Sequence, residues 1–315
     1  MTSLSAVDTL DNTLGALFNG VIVGAALWGV GSLQLYIYFY KFPKDRLLLK
    51  STVLAAWIFD SVHQALISHI IYYYLVQHFF DPAALEHYVW SQNYQPLFEA
   101  LTGFIVQSFF VYRIFTLSKG SYILTAIPSL LVIAKLACSL SYVGQGSRLT
   151  TTTQFVHDLR PISEAINGVT AAGDITITIL LCWLLYHSRT SISRTNYVIN
   201  RLILYTVNTG ALTSICAIIT LILAHTMPTN LIYGPLYYII ARLYVNSMLA
   251  TLNARSALQS KLGDVVTLSN IPASKAELPV TAGNHFVAFT PSNGKPTASL
   301  EFTTDGENNI QSFLP

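Results

Sequence analysis

The fold of this chain is decided by apolar stretches such as STVLAAWIFDSVHQALISHIIYYYLV at positions 51–76. A helix needs roughly 20 apolar residues to cross the hydrocarbon core of a bilayer, and this stretch is long enough. Six further stretches of similar character occupy positions 14–40, 96–117, 122–143, 162–186, 202–225 and 231–252. The pattern predicts an all-α integral membrane bundle of seven transmembrane helices.

The composition favours a membrane protein and argues against other classes. Of the 315 residues, 52% are hydrophobic and 10% are charged, and the formal net charge is +2. In soluble proteins about a quarter of all residues are charged. A nucleic-acid-binding protein needs a positively charged surface to hold the phosphates, and a net charge this small does not supply one. The expected partners are membrane lipids and not nucleic acid. The three cysteines lie within apolar stretches, so no disulfide framework is indicated.

The distribution of lysine and arginine predicts the orientation, because these residues are retained on the cytoplasmic side. Most of them lie in alternate connections, at the end of the third span (Arg113) or at the start of the tail: Lys41, Lys44, Arg46, Lys50, Arg113, Lys119, Arg189, Arg194, Arg201, Arg255 and Lys261. The opposite side holds only Arg148 and Arg160. We therefore expect the N-terminus outside and the C-terminus in the cytoplasm, with the plasma membrane favoured over internal membranes.

The chain is expected to divide into three parts. Residues 1–13 form a short extracellular segment, and residues 14–255 form the seven-helix domain. The first apolar stretch is preceded by no Lys or Arg and is longer than a signal h-region, so it is expected to be a true span. Residues 256–315 are rich in Ser, Thr, Pro, Asn and Gly without apolar periodicity, which predicts a disordered cytoplasmic tail.

Four ionisable residues lie deep within the predicted spans: Asp60, Lys135, Asp174 and Arg242. Placing such a residue at a helix centre costs about 2.5–3.5 kcal/mol, so each is expected to face the bundle interior and a partner. In a sequential ring of seven helices, the second borders the seventh and the fourth borders the fifth. We therefore predict two ion pairs, Asp60 with Arg242 and Lys135 with Asp174. A structural role and a role in a pathway or switch both stay open.

A polar stripe accompanies these charges. Asp60, His63 and Gln64 are spaced i, i+3 and i+4, which places them on one face of the second helix. Together with Asn246 and the other intramembrane charges they form a candidate polar network, able to bind a ligand, relay a proton or grip a neighbouring helix. No metal site is predicted. A seven-span zinc hydrolase needs about three His and an acid, and the predicted spans do not supply this set. No cofactor site and no catalytic constellation is recognised.

Near the outer surface lie Glu99, Asp158, Arg160 and Glu164. Acids at helix starts are favoured by the helix dipole, which is one explanation for them. The functional alternative is an outward-facing polar vestibule.

The first predicted helix carries a GxxxG motif formed by Gly20 and Gly24. Small residues at this spacing permit close contact between helices. The contact is expected within the bundle, and a homodimer through this face is the alternative.

The last third of the helical region carries a recognisable set of motifs: Gly173-Asp174, Ser188-Arg189-Thr190, Arg194-Thr195, Asn200-Arg201-Leu202, Thr209-Gly210 and the run LYVNSMLATLNAR at positions 243–255. Residues 173–255 with these motifs resemble a fungal (basidiomycete) seven-helix membrane family with domain of unknown function 6534. Two segments of the first helix, positions 11–15 and 34–38, are also similar to that family. The family usually has Lys in place of Arg242. The resemblance implies a multi-pass membrane protein and supplies no activity.

The architecture favours a receptor- or sensor-like protein that takes a small-molecule ligand and contacts a cytoplasmic protein. The alternative is a transporter of a small solute or of protons that uses the intramembrane charges. Asn246 and Asn253 are seven residues apart and share a helix face. They either anchor the seventh helix or belong, with Arg255, to a coupling surface for the cytoplasmic partner.

Overall fold

The computed structural model of the protein describes residues 14–79, 81–86, 89–149, 151–189, 193–226 and 234–269. Within this part of the chain the regular structure is helical, with seven α-helices. They are α1 (Ala16–Lys41), α2 (Leu47–Tyr72), α3 (Trp90–Leu117), α4 (Tyr122–Gly146), α5 (Thr152–His187), α6 (Ser193–Thr226) and α7 (Gly234–Ser269). Each predicted apolar stretch overlaps one of these helices, so the all-α prediction is confirmed.

Five helices are long and apolar enough to cross a membrane: α1, α2 with its π-helical extension Tyr73–Gln77, α3, α4 and residues His157–His187 of α5. These helices indicate a membrane-embedded protein. In α6 the apolar part is shorter, at Gly210–Leu223. The last helix, α7, is more polar because it carries Arg242, Asn246 and Asn253 along its length. It tolerates them since its described surface is largely buried against other helices.

The helices form a ring in which each contacts the next along the chain and α7 closes against α1. In addition, α7 contacts α2 and α3, so it packs on the inner side of the bundle. Buried side chains from α1, α3 and α7 meet in the main apolar core: Tyr38, Val106, Ile114, Met248 and Leu249. Large apolar residues on the outer face of α4 are exposed: Ile123, Ile127, Leu130 and Ile133. This arrangement suits a bundle whose outer surface faces lipid.

Glycines let α1 approach α7 at Gly20 and α2 at Gly24. A Cβ atom on Gly20 would lie 2.7 Å from the Cα of Pro235, and one on Gly24 would lie 3.4 Å from Gln64 Oε1. The GxxxG face is therefore occupied inside the chain, as the bundle-packing alternative expects. A homodimer through these two glycines would have to displace α7.

Two asparagines of α7 fasten it to the backbone of α1. Asn246 Nδ2 donates to the carbonyl oxygen of Leu27 at 3.0 Å, and Asn253 Nδ2 donates to that of Gln34 at 2.8 Å. Gln34 Nε2 in turn donates to Asn246 Oδ1 at 3.1 Å. The partners are seven residues apart on both helices, so α1 and α7 run parallel in a fixed register. The predicted anchor for the seventh helix is present.

The last helix extends past the predicted start of the tail. The backbone of α7 is helical to Ser269, whereas the tail was expected from residue 256. Its last part contains no proline, the first one downstream being Pro272, so nothing stops a helix that is already formed from propagating. Residues 1–13, the expected extracellular segment, and residues 270–315 of the expected tail lie outside the described residues.

Candidate functional site

The predicted ion pair between α2 and α7 is present. Arg242 Nη1 lies 3.0 Å from Asp60 Oδ1, and the two side chains are 0% and 3% exposed. The contact forms because α7 packs on the inner side of the ring, directly beside α2. It is an ionic contact, since Asp60 Oδ1 makes no directed hydrogen bond.

The rest of the guanidinium binds the polar stripe of α2. Arg242 Nη2 donates to Gln64 Oε1 at 2.8 Å, and Nη1 contacts His63 Nδ1. Because a guanidinium only donates, Nδ1 of His63 accepts and its Nε2 carries the proton. That Nε2 donates to Gln95 Oε1 on α3 at 2.7 Å. We name Asp60, His63, Gln64, Gln95 and Arg242 the Arg242 cluster.

The second predicted pair is wrong. Lys135 Nζ binds Glu99 Oε1 at 3.0 Å instead of Asp174. The reason is the start of α3, which begins at Trp90 and not near Pro96 as predicted. Glu99 therefore lies about 13 Å along the helix, inside the bundle and opposite α4. Lys135 Nζ also lies 4.9 Å from the centre of the Tyr244 ring.

Asp174 is buried, accepts hydrogen bonds from neutral donors and is attracted by the Lys135 ammonium without forming an ion pair with it. Gln107 Nε2 donates to its Oδ1 and the Tyr244 hydroxyl donates to its Oδ2, both at 2.8 Å. Gln107 Nε2 also lies 3.3 Å from the Tyr244 oxygen. Among the described residues no lysine or arginine forms an ion pair with Asp174. We name Glu99, Gln107, Lys135, Asp174 and Tyr244 the Asp174 cluster.

A small cavity adjoins the Asp174 cluster between α3, α5, α6 and α7. Its volume is about 30 Å³. The oxygen-bearing side chains that line it are Gln107, Asp174, Thr178, Thr206, Thr213, Tyr244 and Ser247. A buried water needs roughly 10–15 Å³, so the cavity has room for about two water-sized groups. It is too small for an organic solute.

The structure does not gather the predicted outer vestibule into one site. Glu99 belongs to the Asp174 cluster in the interior. Arg160 Nε pairs with Glu164 Oε1 at 2.9 Å on α5, where both side chains are partly exposed. Asp158 is exposed and lies 3.0 Å from His157 Nδ1.

At the predicted cytoplasmic end, α7 is tied to the connection between α1 and α2. Arg255 Nη2 lies 2.5 Å from Asp45 Oδ2, and its guanidinium stacks 4.4 Å from the centre of the Phe42 ring. The Tyr38 hydroxyl donates to the same Asp45 oxygen at 3.1 Å. The predicted cytoplasmic boundary at Arg255 is thus held by a buried ion pair.

Sequence reasoning missed three members of the two clusters: Gln95, Gln107 and Tyr244. A signal for the glutamines was present, because positions 95, 99, 103 and 107 are four apart and share one face of α3. Tyr244 gave no comparable signal, since it lies in the interior of the predicted span 231–252 and helical periodicity does not show that its hydroxyl reaches Asp174.

Comparison with known protein families gives a match for one region of the chain. Residues 170–257 match the family of unknown function DUF6534. The DUF6534 region includes Asp174, α6 and α7 as far as Arg255, so the predicted resemblance is confirmed for this domain. No curated protein and no solved structure matches the chain. The fungal origin and the seven-helix character that the resemblance implied stay predictions.

Proposed function

We propose that the protein is a receptor- or sensor-like membrane protein with seven spans, an outer N-terminus and a cytoplasmic C-terminus, in the plasma membrane. One observation carries the proposal: α7 holds both the Arg242 cluster and, at its predicted cytoplasmic end, the Arg255–Asp45 pair. The two arginines are about 20 Å apart along the helix axis. A single rigid element therefore connects the interior charges with a cytoplasmic connection.

The coupling follows from how α7 is held. Its interior contacts are charged and hydrogen-bonded, and such networks have few alternative arrangements once their partners are buried. A small molecule that binds one arrangement of the Arg242 cluster better than another shifts the population of α7 positions. The shift reaches Asp45, where a cytoplasmic protein can detect it.

The two intramembrane ion pairs, Asp60–Arg242 and Glu99–Lys135, favour sensing over transport of a solute. Both ion pairs are closed and buried, with no more than 10% of any of the four side chains exposed. The cavity beside Asp174 holds about 30 Å³. Proton transport is the second candidate, and Asp174 favours it because this buried acid forms no ion pair with a described base.

A labelling experiment tests the proposal in the full-length protein in lipid nanodiscs. Spin labels at Lys44→Cys and Thr116→Cys, both exposed at the predicted cytoplasmic ends, report a distance by pulsed electron resonance. Cys138, Cys182 and Cys216 are replaced beforehand. Since Asp60 holds α7 through Arg242, Asp60→Asn is expected to shift this distance by about 1–2 Å or to add a second population. Asp158→Asn, an exposed acid, is the matched control and leaves the distance unchanged.

Proton flux into dye-loaded vesicles separates the two candidate functions. The sensor proposal expects no flux in the unsubstituted protein, and hence none to lose in Asp60→Asn or Asp174→Asn. Flux that Asp174→Asn abolishes in a folded protein favours the transporter. An unchanged label distance with lower thermal stability assigns the Arg242 cluster a structural role only.

A further inference from the structure

The Arg242 cluster and the Asp174 cluster together contain three buried acidic side chains but only two buried basic ones. Lys135 is taken by Glu99 and Arg242 by Asp60, so Asp174 is the carboxylate left over. Two other arginines are buried in the described bundle, but Arg255 pairs with Asp45 and Arg113 lies over the Phe109 ring without an ion pair to Asp174. The Lys135 ammonium also attracts Asp174, but its ion pair is with Glu99 and its single charge balances only one of the two acids. A carboxylate charge in a low-dielectric interior is costly unless a cation balances it. Hydrogen bonds from neutral donors reduce this cost without balancing the charge.

The same place has a surplus of acceptor oxygens. Gln107 is 2% exposed, and its Oε1 has no hydrogen-bond partner. Its orientation is set by the other amide atom, because Nε2 must donate to Asp174. A buried acceptor without a partner costs about 1–3 kcal/mol. The amide therefore offers a free oxygen at the wall of the cavity, beside a carboxylate that accepts hydrogen bonds from Gln107, Tyr244 and Thr213.

The cavity supplies the remaining ligands. Hydroxyl oxygens of Thr178, Thr206, Thr213 and Ser247 line it, on α5, α6 and α7. Carboxylate, amide and hydroxyl oxygens are the ligands of hard cations. A cavity of about 30 Å³ accommodates one small ion with a water molecule.

We propose that the cavity beside Asp174 is a binding site for a monovalent cation, with Na⁺ as the ion that fits. Asp174 supplies the charge, Gln107 Oε1 supplies a neutral oxygen, and the hydroxyls complete the coordination. A divalent ion is disfavoured because one carboxylate balances only half of its charge. Bound Na⁺ holds α3, α5, α6 and α7 together at one point. The site follows from charge and space alone and does not rest on the receptor proposal.

Thermal unfolding of the purified full-length protein in nanodiscs tests the site. NaCl is titrated against choline chloride at constant ionic strength, so that only the identity of the cation changes. Binding to the folded state alone raises the unfolding temperature with a saturable dependence on Na⁺ concentration. Equilibrium dialysis with radioactive Na⁺ gives the stoichiometry, expected to be one ion per chain. K⁺, which is larger, is expected to bind more weakly.

Variants assign the response to the cavity. Asp174→Asn is expected to abolish Na⁺ binding, and Gln107→Met to weaken it about tenfold by removing one ligand. If Asp174→Asn does not fold, Gln107→Met and Ser247→Ala carry the test. Asp158→Asn, an exposed acid on the same helix as Asp174, keeps the full response. Equal unfolding temperatures in NaCl and choline chloride overturn the proposal. So does an unchanged Na⁺ response in a folded Asp174→Asn or, if that variant does not fold, an unchanged response in both Gln107→Met and Ser247→Ala.

Discussion

The Arg242 cluster and the Asp174 cluster are built from similar groups but reach opposite states. In the first, a guanidinium contacts three side chains of α2, and the acid and the base face each other directly. In the second, the Lys135 ammonium pairs with Glu99, while Asp174 accepts hydrogen bonds from neutral donors, forms no ion pair and adjoins a cavity. In the Arg242 cluster every charge has a partner, and we call this cluster closed. In the Asp174 cluster one acid has no ion-pair partner and adjoins a cavity that can take a cation, and we call this cluster open.

Breaking the closed cluster is expected to have the largest effect. Arg242→Met leaves Asp60 buried without its cation and removes a donor from both His63 and Gln64. Loss of one partner of a buried ion pair costs about 3–5 kcal/mol, so a large fall in unfolding temperature or in folded yield is expected. Thermal unfolding in nanodiscs measures it.

The matched control for this variant is Arg160→Met, which removes an arginine from a partly exposed pair. Such pairs contribute about 0–1 kcal/mol. The double variant Asp60→Asn with Arg242→Met is expected to recover part of the lost stability, because no charge is then left unmatched. A loss in Arg242→Met no greater than in Arg160→Met contradicts a closed, matched cluster.

Breaking the open cluster is expected to cost less. Lys135→Met removes the ammonium that pairs with Glu99 and attracts Asp174, but the adjoining cavity lets water or a cation approach Asp174. We expect a loss of about 3 kcal/mol, the lower end of the range for a buried ion pair that loses one partner, because Glu99 is more exposed (10%) than Asp60 (3%). Thermal unfolding of Lys135→Met and of Lys135→Met with Glu99→Gln measures it, and the double variant is expected to be the more stable of the two. If Lys135→Met costs more than Arg242→Met, the distinction between the clusters is wrong.

The sequence predicted the closed cluster well and the open cluster poorly, for a physical reason. Asp60 and Arg242 both lie in the middle of clear apolar stretches, so both were predicted to be interior, and the packing of α7 on the inner side of the ring brings them together. Glu99 lies near the start of a predicted stretch, and only the true start of α3 at Trp90 shows that it is interior. An error of six residues at a helix start thus exchanged the partner of Lys135.

The helices themselves were predictable because the apolar stretches are long and separated by polar connections. Their ends were not, since α5 begins at Thr152 and α7 continues to Ser269, beyond the apolar parts. The parallel contact of α1 with α7 also rests on more than composition. It requires Gly20 to lie against Pro235 and Asn246 to reach a backbone carbonyl, and neither partner can be inferred from helical periodicity.

The smallest expected effects come from glycines that lie against the two clusters. A Cβ atom on Gly103 would lie 3.1 Å from Lys135 Nζ, whereas one on Gly24 would lie 3.4 Å from Gln64 Oε1. The first distance requires the ammonium to move by a few tenths of an ångström, and the second is an ordinary contact. Gly29 has nothing within 4 Å of an added Cβ and is the control.

The added methyl group gains about 0.5–1 kcal/mol of helix propensity at each of these glycines. In the Gly103→Ala variant this gain is offset by the displaced ammonium, so its unfolding temperature is expected to be the lowest of the three. Gly24→Ala is expected in the middle and Gly29→Ala at or above the unsubstituted protein. Because Lys135 has a long, flexible side chain, the Asp174 cluster absorbs the methyl group with a loss below about 1 kcal/mol, less than overpacking of a rigid core costs. A larger loss means that the ammonium is held as rigidly as the guanidinium of Arg242, and the two clusters then differ in charge balance but not in mobility.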